Sequence, residues 1–142
     1  MGKKVKVVLD TNVWISLFLK KVLSQEYSKI INKQATVYMS KEILLEISKV
    51  LTYPKIKKII EGSEIDAKQI IRIIVENTTM VDTKIDVKLI DEDPQDNKIL
   101  ECALAARVDY VVTGDSHLLK LGKFKQTTII TPRAFLDGCL AK

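Results

Sequence analysis

Histidine and cysteine are nearly missing from this chain: its 142 residues include one histidine, His117, and two cysteines, Cys102 and Cys139. A zinc centre draws three or four ligands largely from those residue types, so that class of metal site is excluded. The cysteines stand far apart in segments that read as apolar helical faces, which makes them reduced core residues rather than a disulfide. Long hydrophobic runs are missing too. No stretch approaches the roughly 18 apolar residues of a membrane span. At the N-terminus the apolar run VVL breaks off at Asp10, too early for a signal peptide, and Lys6 stands where myristoylation of Gly2 needs Ser or Thr. A cytoplasmic protein is the expectation. Low-complexity tracts, repeats and linkers are likewise missing, and apolar content of 46% excludes a disordered chain. One domain spanning residues 1–142 is expected.

What is present is charge, unevenly spread. Lysine and arginine outnumber the acids by 23 to 18, giving a net charge of +5. That excess is compatible with a nucleic-acid partner, though it is ordinary for many proteins. Between Asp82 and Asp96, in contrast, six acids face two lysines. Lys120, Lys123 and Lys125 gather around Gly122, either as a solvated loop or as phosphate contacts.

The hydrophobic pattern alternates strand and helix. VKVVL over 5–9 reads as a buried parallel strand, with Asp10 at its carboxyl end and Thr11 or Asn12 capping a helix through Trp14, Ile15, Phe18 and Leu19. Ser24 to Gln34 reads as a second helix. A strand over 36–39 leads to Ser40, which caps a helix with core stripe Ile43, Leu44, Ile47, Val50 and Leu51. Glu46 falls on the border of that stripe, roughly 100° from its centre, while Glu42 and Lys49 lie further towards water. Helices over 54–60 and 63–77 follow, the second with Ile65, Ile70, Ile73, Ile74 and Asn77 on one face, and then a brief strand over 79–82. Asp93-Pro94 opens a helix with the buried series Ile99, Leu100, Ala103 and Leu104. A strand over 109–113 ends at Gly114-Asp115, a helical turn covers 116–121, and a last strand over 128–130 leads to a closing helix capped by Thr131-Pro132. This alternation predicts an α/β fold, a three-layer α/β/α sandwich around a mainly parallel sheet.

Four acids stand out within that frame. Asp10 and Asp115 follow strands, at the sheet edge where α/β folds bind ligands. Asp96 lies three residues before Ile99, so a carboxylate fills a slot in a core stripe, and Glu46 flanks its own stripe. Each has an ordinary reading: Asp10 as a turn or cap, Asp93 as N-cap, Asp96 as an acid of the first helical turn, Glu46 as a solvated side chain. Should the four converge at roughly 5 Å, each pair repels by about 3 kcal/mol at an effective dielectric near 20. Together such repulsions exceed a domain's usual stability margin of about 5–15 kcal/mol. The cluster must then hold protons or divalent cations, and an all-oxygen donor set selects Mg²⁺ or Mn²⁺. Those ions activate water and neutralise phosphate, which suits a phosphodiester substrate held by lysines. Asn12, Thr113 and Ser116 fit either hydrogen-bonding support for the acids or capping roles, and His117 reads as a loop residue rather than a general base.

VVLDTNVW, LLEISKVLTYPKI, DPQDNKILECALAARVDYVVTGD and IITPRAFL, in this order, resemble PIN-domain ribonucleases, and within them the VapC-like toxins of toxin–antitoxin pairs. The likeness covers essentially the whole chain. It implies a PIN-like sandwich and an endoribonuclease dependent on Mg²⁺ or Mn²⁺, in which water attacks RNA and leaves a 5′-phosphate. By matching motif positions, the family's catalytic and metal-binding acids fall on Asp10, Glu46, Asp96 and Asp115. Asp93 stands just before the third acid as a helper, Thr113 matches the small hydroxyl residue before the last, and Asn12 the polar residue after the first. The resemblance also implies an antitoxin protein as partner and a homodimer.

Two rival readings stay open. A haloacid-dehalogenase-type phosphohydrolase also begins with strand-then-Asp, but it usually needs a second Asp two residues on, where this chain has Asn12. An inactive RNA-binding module is the other.

Overall fold

The computed structural model describes residues 4–19, 35–83 and 94–139, with the side chains of 94–96 and 139 outside the described set. Strand β1 (Val5–Leu9) is the middle of the sheet. Its β-branched run has Val7, Val8 and Leu9 buried, as a strand covered on both faces requires. It pairs in parallel with β2 (Ala35–Ser40) on one side and β4 (Tyr110–Val112) on the other. Beyond β2 lies β3 (Thr79–Val81), also parallel. Beyond β4 come β6 (Thr127–Ile130), parallel, and β5 (Lys123–Phe124), antiparallel to β6 at the edge. The order is β3-β2-β1-β4-β6-β5. Helices flank this sheet, giving the expected PIN-like sandwich.

Helix α1 (Thr11–Leu19) starts immediately after Asp10, whose carbonyl accepts N–H bonds from Val13 and Trp14 at 3.0 and 3.1 Å. Asp10 itself thus takes the position before the first turn, and the expected caps Thr11 and Asn12 lie inside the helix. Ser40 is fully buried and caps α2 (Lys41–Val50), its hydroxyl accepting the Ile43 N–H at 3.2 Å. Helix α3 (Pro54–Glu61) has proline in its first turn. Helix α4 (Ala67–Glu76) begins four residues later than its periodicity suggests. Asp66 and Gln69 form a reciprocal capping box there, at 2.8 Å each way, and the box fixes the start. Ile70 and Ile74 of that helix are buried, but Ile73 is 38% exposed and does not join their face.

Helix α5 (Pro94–Ala106) buries Ile99, Leu100, Cys102 and Ala103. It ends in a Schellman motif: Val108 N–H bonds to the Ala103 carbonyl and Arg107 N–H to that of Leu104, at 3.2 and 3.3 Å. Arg107 takes the left-handed position, φ 52°, where glycine is usual. Helix α6 (Ser116–Leu121) follows β4, and α7 (Pro132–Ala134), capped by Thr131, runs on as a π-type turn over Phe135–Cys139. Phe135 is buried against Tyr110, ring centroids 5.9 Å apart, so the closing segment pins β4. Strand β5 and the π-type turn had no sequence signal. The helix expected over 24–34, Asp93 and most of the acidic connection lie outside the described residues.

Cys102 is fully buried, as expected of a core thiol. Burial pushes the thiol up from 9.0 to about 12, partly offset by a hydrogen bond with Ser40 and reinforced by the charge of Glu42. The native state therefore keeps this proton after the unfolded chain has released it. The associated stability is whole below pH 9.0 and is lost as pH rises towards about 12. In a Cys139→Ser background, native protein should resist thiol alkylation until it unfolds; prompt labelling would contradict the burial. Ser40→Ala should lower unfolding free energy by about 1 kcal/mol through the lost cap. Ile47→Ala, in the core, should cost about 2–5 kcal/mol. Urea titration measures both, and a neutral Ser40→Ala would remove the capping account.

Candidate active site

Strand order reverses between β1 and β4: the chain builds β2 and β3 to one side of β1, then returns to build β4 and β6 on the other. At such a switch point the connections leave in opposite directions and open a crevice at the carboxyl ends of the strands. Asp10 follows β1 and Thr113 follows β4. Because Leu9 pairs with Val112, these two residues lie side by side. The ladder runs one step beyond the strands: Asp10 N–H bonds to the Val112 carbonyl and Thr113 N–H to that of Ile130, both at 3.0 Å.

The side chains continue what the backbone begins. Thr113, fully buried, donates its hydroxyl to Asp10 Oδ2 at 2.6 Å. Its Oγ1 accepts the Asp115 N–H at 3.0 Å. Asp115 caps α6, with Oδ1 accepting the His117 N–H at 2.9 Å and lying 3.4 Å from His117 Nδ1. Asp10 is only 7% exposed. A carboxylate that deep is costly unless partnered, and a hydrogen bond to a charged group contributes about 1.5–3 kcal/mol. Thr113 therefore ties the two strand-following aspartates into one unit. His117 is exposed but lies in the first turn of α6, not in a loop as its sequence position suggested, because the Asp115 cap starts the helix just before it.

Glu46 approaches from α2, its side chain only 9% exposed, with Lys98 Nζ 3.7 Å from Oε2. A position on the border of the apolar stripe places it against α5 rather than in water. Lys98 lies two residues beyond Asp96, whose backbone occupies the first turn of α5 and whose side chain is outside the described set. Glu42, expected on the solvated side, is half-buried instead, and Thr83 donates its hydroxyl to Glu42 Oε1 at 2.8 Å. The spacing of Glu42 and Glu46, four residues apart on one helix face, was the available signal for this. Nothing in the sequence singled out Lys98. Asn12 is exposed in α1.

The structure thus joins Asp10, Thr113 and Asp115 through hydrogen bonds and sets Glu46 beside Lys98. Among the described residues no three His, Cys, Asp or Glu side chains form a group that could hold a metal ion. The donors on offer at this edge are carboxylate and hydroxyl oxygens, which suits Mg²⁺ or Mn²⁺ and not zinc.

The PIN domain family model matches residues 6–117, and the chain belongs to that family, whose members are typically metal-dependent nucleases. The matched span includes all four acids picked out above. Comparison with curated proteins finds no match. Among solved structures, VapBC2 from Rickettsia felis, bound to a DNA fragment from its promoter, is similar with a TM-score of 0.58 at 14% identity. The match covers 88% of this chain and 97% of that one. The T. brucei RRP44 PIN domain gives a TM-score of 0.49 at 13% identity, covering 98% of this chain and 83% of that one. Likeness at such identities bears on the fold alone.

Thr113→Val keeps the shape of the side chain and deletes its donor. It should destabilise the protein by about 1–3 kcal/mol, since the buried Asp10 carboxylate loses a partner. Thr113→Ser should recover most of that loss. Equal stability of the valine variant and the parent, by thermal or urea unfolding, would show that the bond is not holding Asp10.

Proposed function

We propose that this chain is an endoribonuclease dependent on Mg²⁺ or Mn²⁺, acting as the toxin of a toxin–antitoxin pair. The observation that carries the reading is the bonded unit Asp10–Thr113–Asp115 at the switch point of a PIN-domain sheet. Asp10, Glu46, Asp96 and Asp115 would hold the ion, with Asp93 assisting the third acid and Asn12 and Thr113 supporting the first and last. When bound, a divalent cation supplies an activated water and charge neutralisation at phosphate. The chain's own part is to orient the acids. Thr113 fixes the Asp10 carboxylate, and capping of α6 fixes that of Asp115. Lys98, partly exposed beside Glu46, is placed to offset the negative charge of the edge.

RNA as substrate, an antitoxin protein as partner and a homodimer follow from the motif resemblance, and a cytoplasmic location from the early break in the apolar run at Asp10. The net charge of +5 accords with a polyanionic substrate. Among the described residues no helix is long and apolar enough to cross a membrane. The phosphohydrolase alternative loses ground, because Asn12, where its second aspartate would stand, is exposed in α1.

Asp10→Asn and Asp96→Asn should each lower Mg²⁺- or Mn²⁺-dependent cleavage of RNA by about 100-fold or more while leaving the circular dichroism spectrum unchanged. Chelation should stop the parent protein to the same degree. Full activity in either variant would overturn the assignment. RNA binding without any calorimetric heat from divalent metal would favour the inactive binding module instead.

A further inference from the structure

The opposite edge of the sheet carries a second feature that the carboxylate site does not use. Between the end of α5 and the β5–β6 hairpin lies a cavity of about 520 Å³. That is within the usual range for small-molecule sites, about 300–1,000 Å³. Its floor is apolar: Leu104 and Val108 from the end of α5, and the ring of Phe124 from β5. Its mouth is polar, formed by Arg107, Lys125 and Gln126, all exposed. The walls are held together, since Thr127 donates its hydroxyl to the Val108 carbonyl at 2.7 Å across the gap.

The two cations sit on unusual backbone. Arg107 and Lys125 have φ of 52° and 57° and are, among the described residues, the non-glycine positions with positive φ. Arg107 occupies the left-handed site of a helix C-cap. Lys125 is the first residue of the two-residue turn closed by the Phe124–Thr127 pair. Both are positions where glycine is ordinarily favoured, because a Cβ crowds the neighbouring carbonyl. Strained backbone of this kind concentrates at binding sites. Here both instances carry a long cation, and both open on the same cavity. Among the described residues neither cation has a salt-bridge partner. Carbonyls at the end of α5 would repel an anion, but the Schellman bonds from Arg107 and Val108 occupy those of Leu104 and Ala103, and the guanidinium offsets the remaining dipole.

We propose that this cavity binds a nucleotide-sized phosphate monoester in which a sugar joins the phosphate to a flat base. Arg107 and Lys125 grip the phosphate, Phe124 and Leu104 receive the ring, and Gln126 meets its polar edge. The same chemistry is offered by a free nucleotide and by the 5′-phosphorylated end of an RNA. The site does not depend on the ribonuclease reading, because none of its residues lies at the carboxyl edge.

The test is an amide-resonance titration of the full chain in chelator, which silences metal-dependent binding at the other edge. The probes are AMP and, separately, a short 5′-phosphorylated RNA. Millimolar AMP should shift resonances of residues 104–108 and 124–127 and leave those of Asp10 and Asp115 in place. Tighter binding of AMP identifies a free nucleotide, and tighter binding of the RNA identifies a strand end. Arg107→Gln and Lys125→Gln should each weaken AMP binding by about tenfold or more. Arg107→Gly and Lys125→Gly should lose binding while raising the unfolding midpoint by about 2–5 °C, as the strain is relieved. No shift at these resonances with either probe, or unchanged AMP binding in the glycine variants, would overturn the proposal.

Discussion

Leu9 and Val112 pair in neighbouring parallel strands, and the meeting of Thr113 with Asp10 at the carboxyl edge follows from that register. Successive residues of a strand point to opposite faces, about 3.3 Å apart. A slip of one residue would therefore carry Thr113 out of reach of Asp10 and turn it to the wrong face. Large buried groups hold the register in place. Val7, Val8, Val111 and Val112 are fully buried in the two strands, and Phe135 packs on Tyr110 from the closing segment. At the amino edge Asp109 donates its N–H to the Lys6 carbonyl at 2.8 Å, and its carboxylate accepts the Lys6 N–H at 2.9 Å. Core packing at one end of the strands thus becomes placement of a carboxylate at the other.

The helices obey the same logic of termini. Asp10 and Asp115 follow strands, Ser40 is the last residue of one, and each stands at the start of a helix. Orphan backbone donors at a helix start must be satisfied, and polar residues in those places satisfy them. The sheet edge is therefore polar for reasons of folding before any question of catalysis arises. A family built on this scaffold needs few additions to turn such an edge into a cation site. Under the reading proposed above Glu46 is one, standing on the second turn of α2 rather than at a cap.

Much of this was legible in the sequence because the signals were local. β1 matches its expected bounds, Ser40 caps α2 as its spacing indicates, and α6 covers the expected residues. The departures have physical causes of longer range or lower contrast. Helix α4 starts late because a capping box outcompetes the upstream Ser63. Arg107 replaces the glycine that would have announced a C-cap, so no local signal marks the end of α5. Strand β5 has two residues, too few for any period to show, and exists because β6 offers it an edge. At the site, Thr113 was open between support and turn roles until the β1–β4 register showed its hydroxyl on Asp10. Glu42 was misread because its partner, Thr83, is distant in sequence.

A crystal of the chain soaked in Mn²⁺ and measured for anomalous scattering tests the central claim most directly. The account predicts a peak in the crevice between the ends of β1 and β4, within coordination distance of carboxylate oxygens from Asp10, Glu46, Asp96 and Asp115, directly or through one water. An ion bound only elsewhere, or no ion at that edge at saturating Mn²⁺, would contradict it.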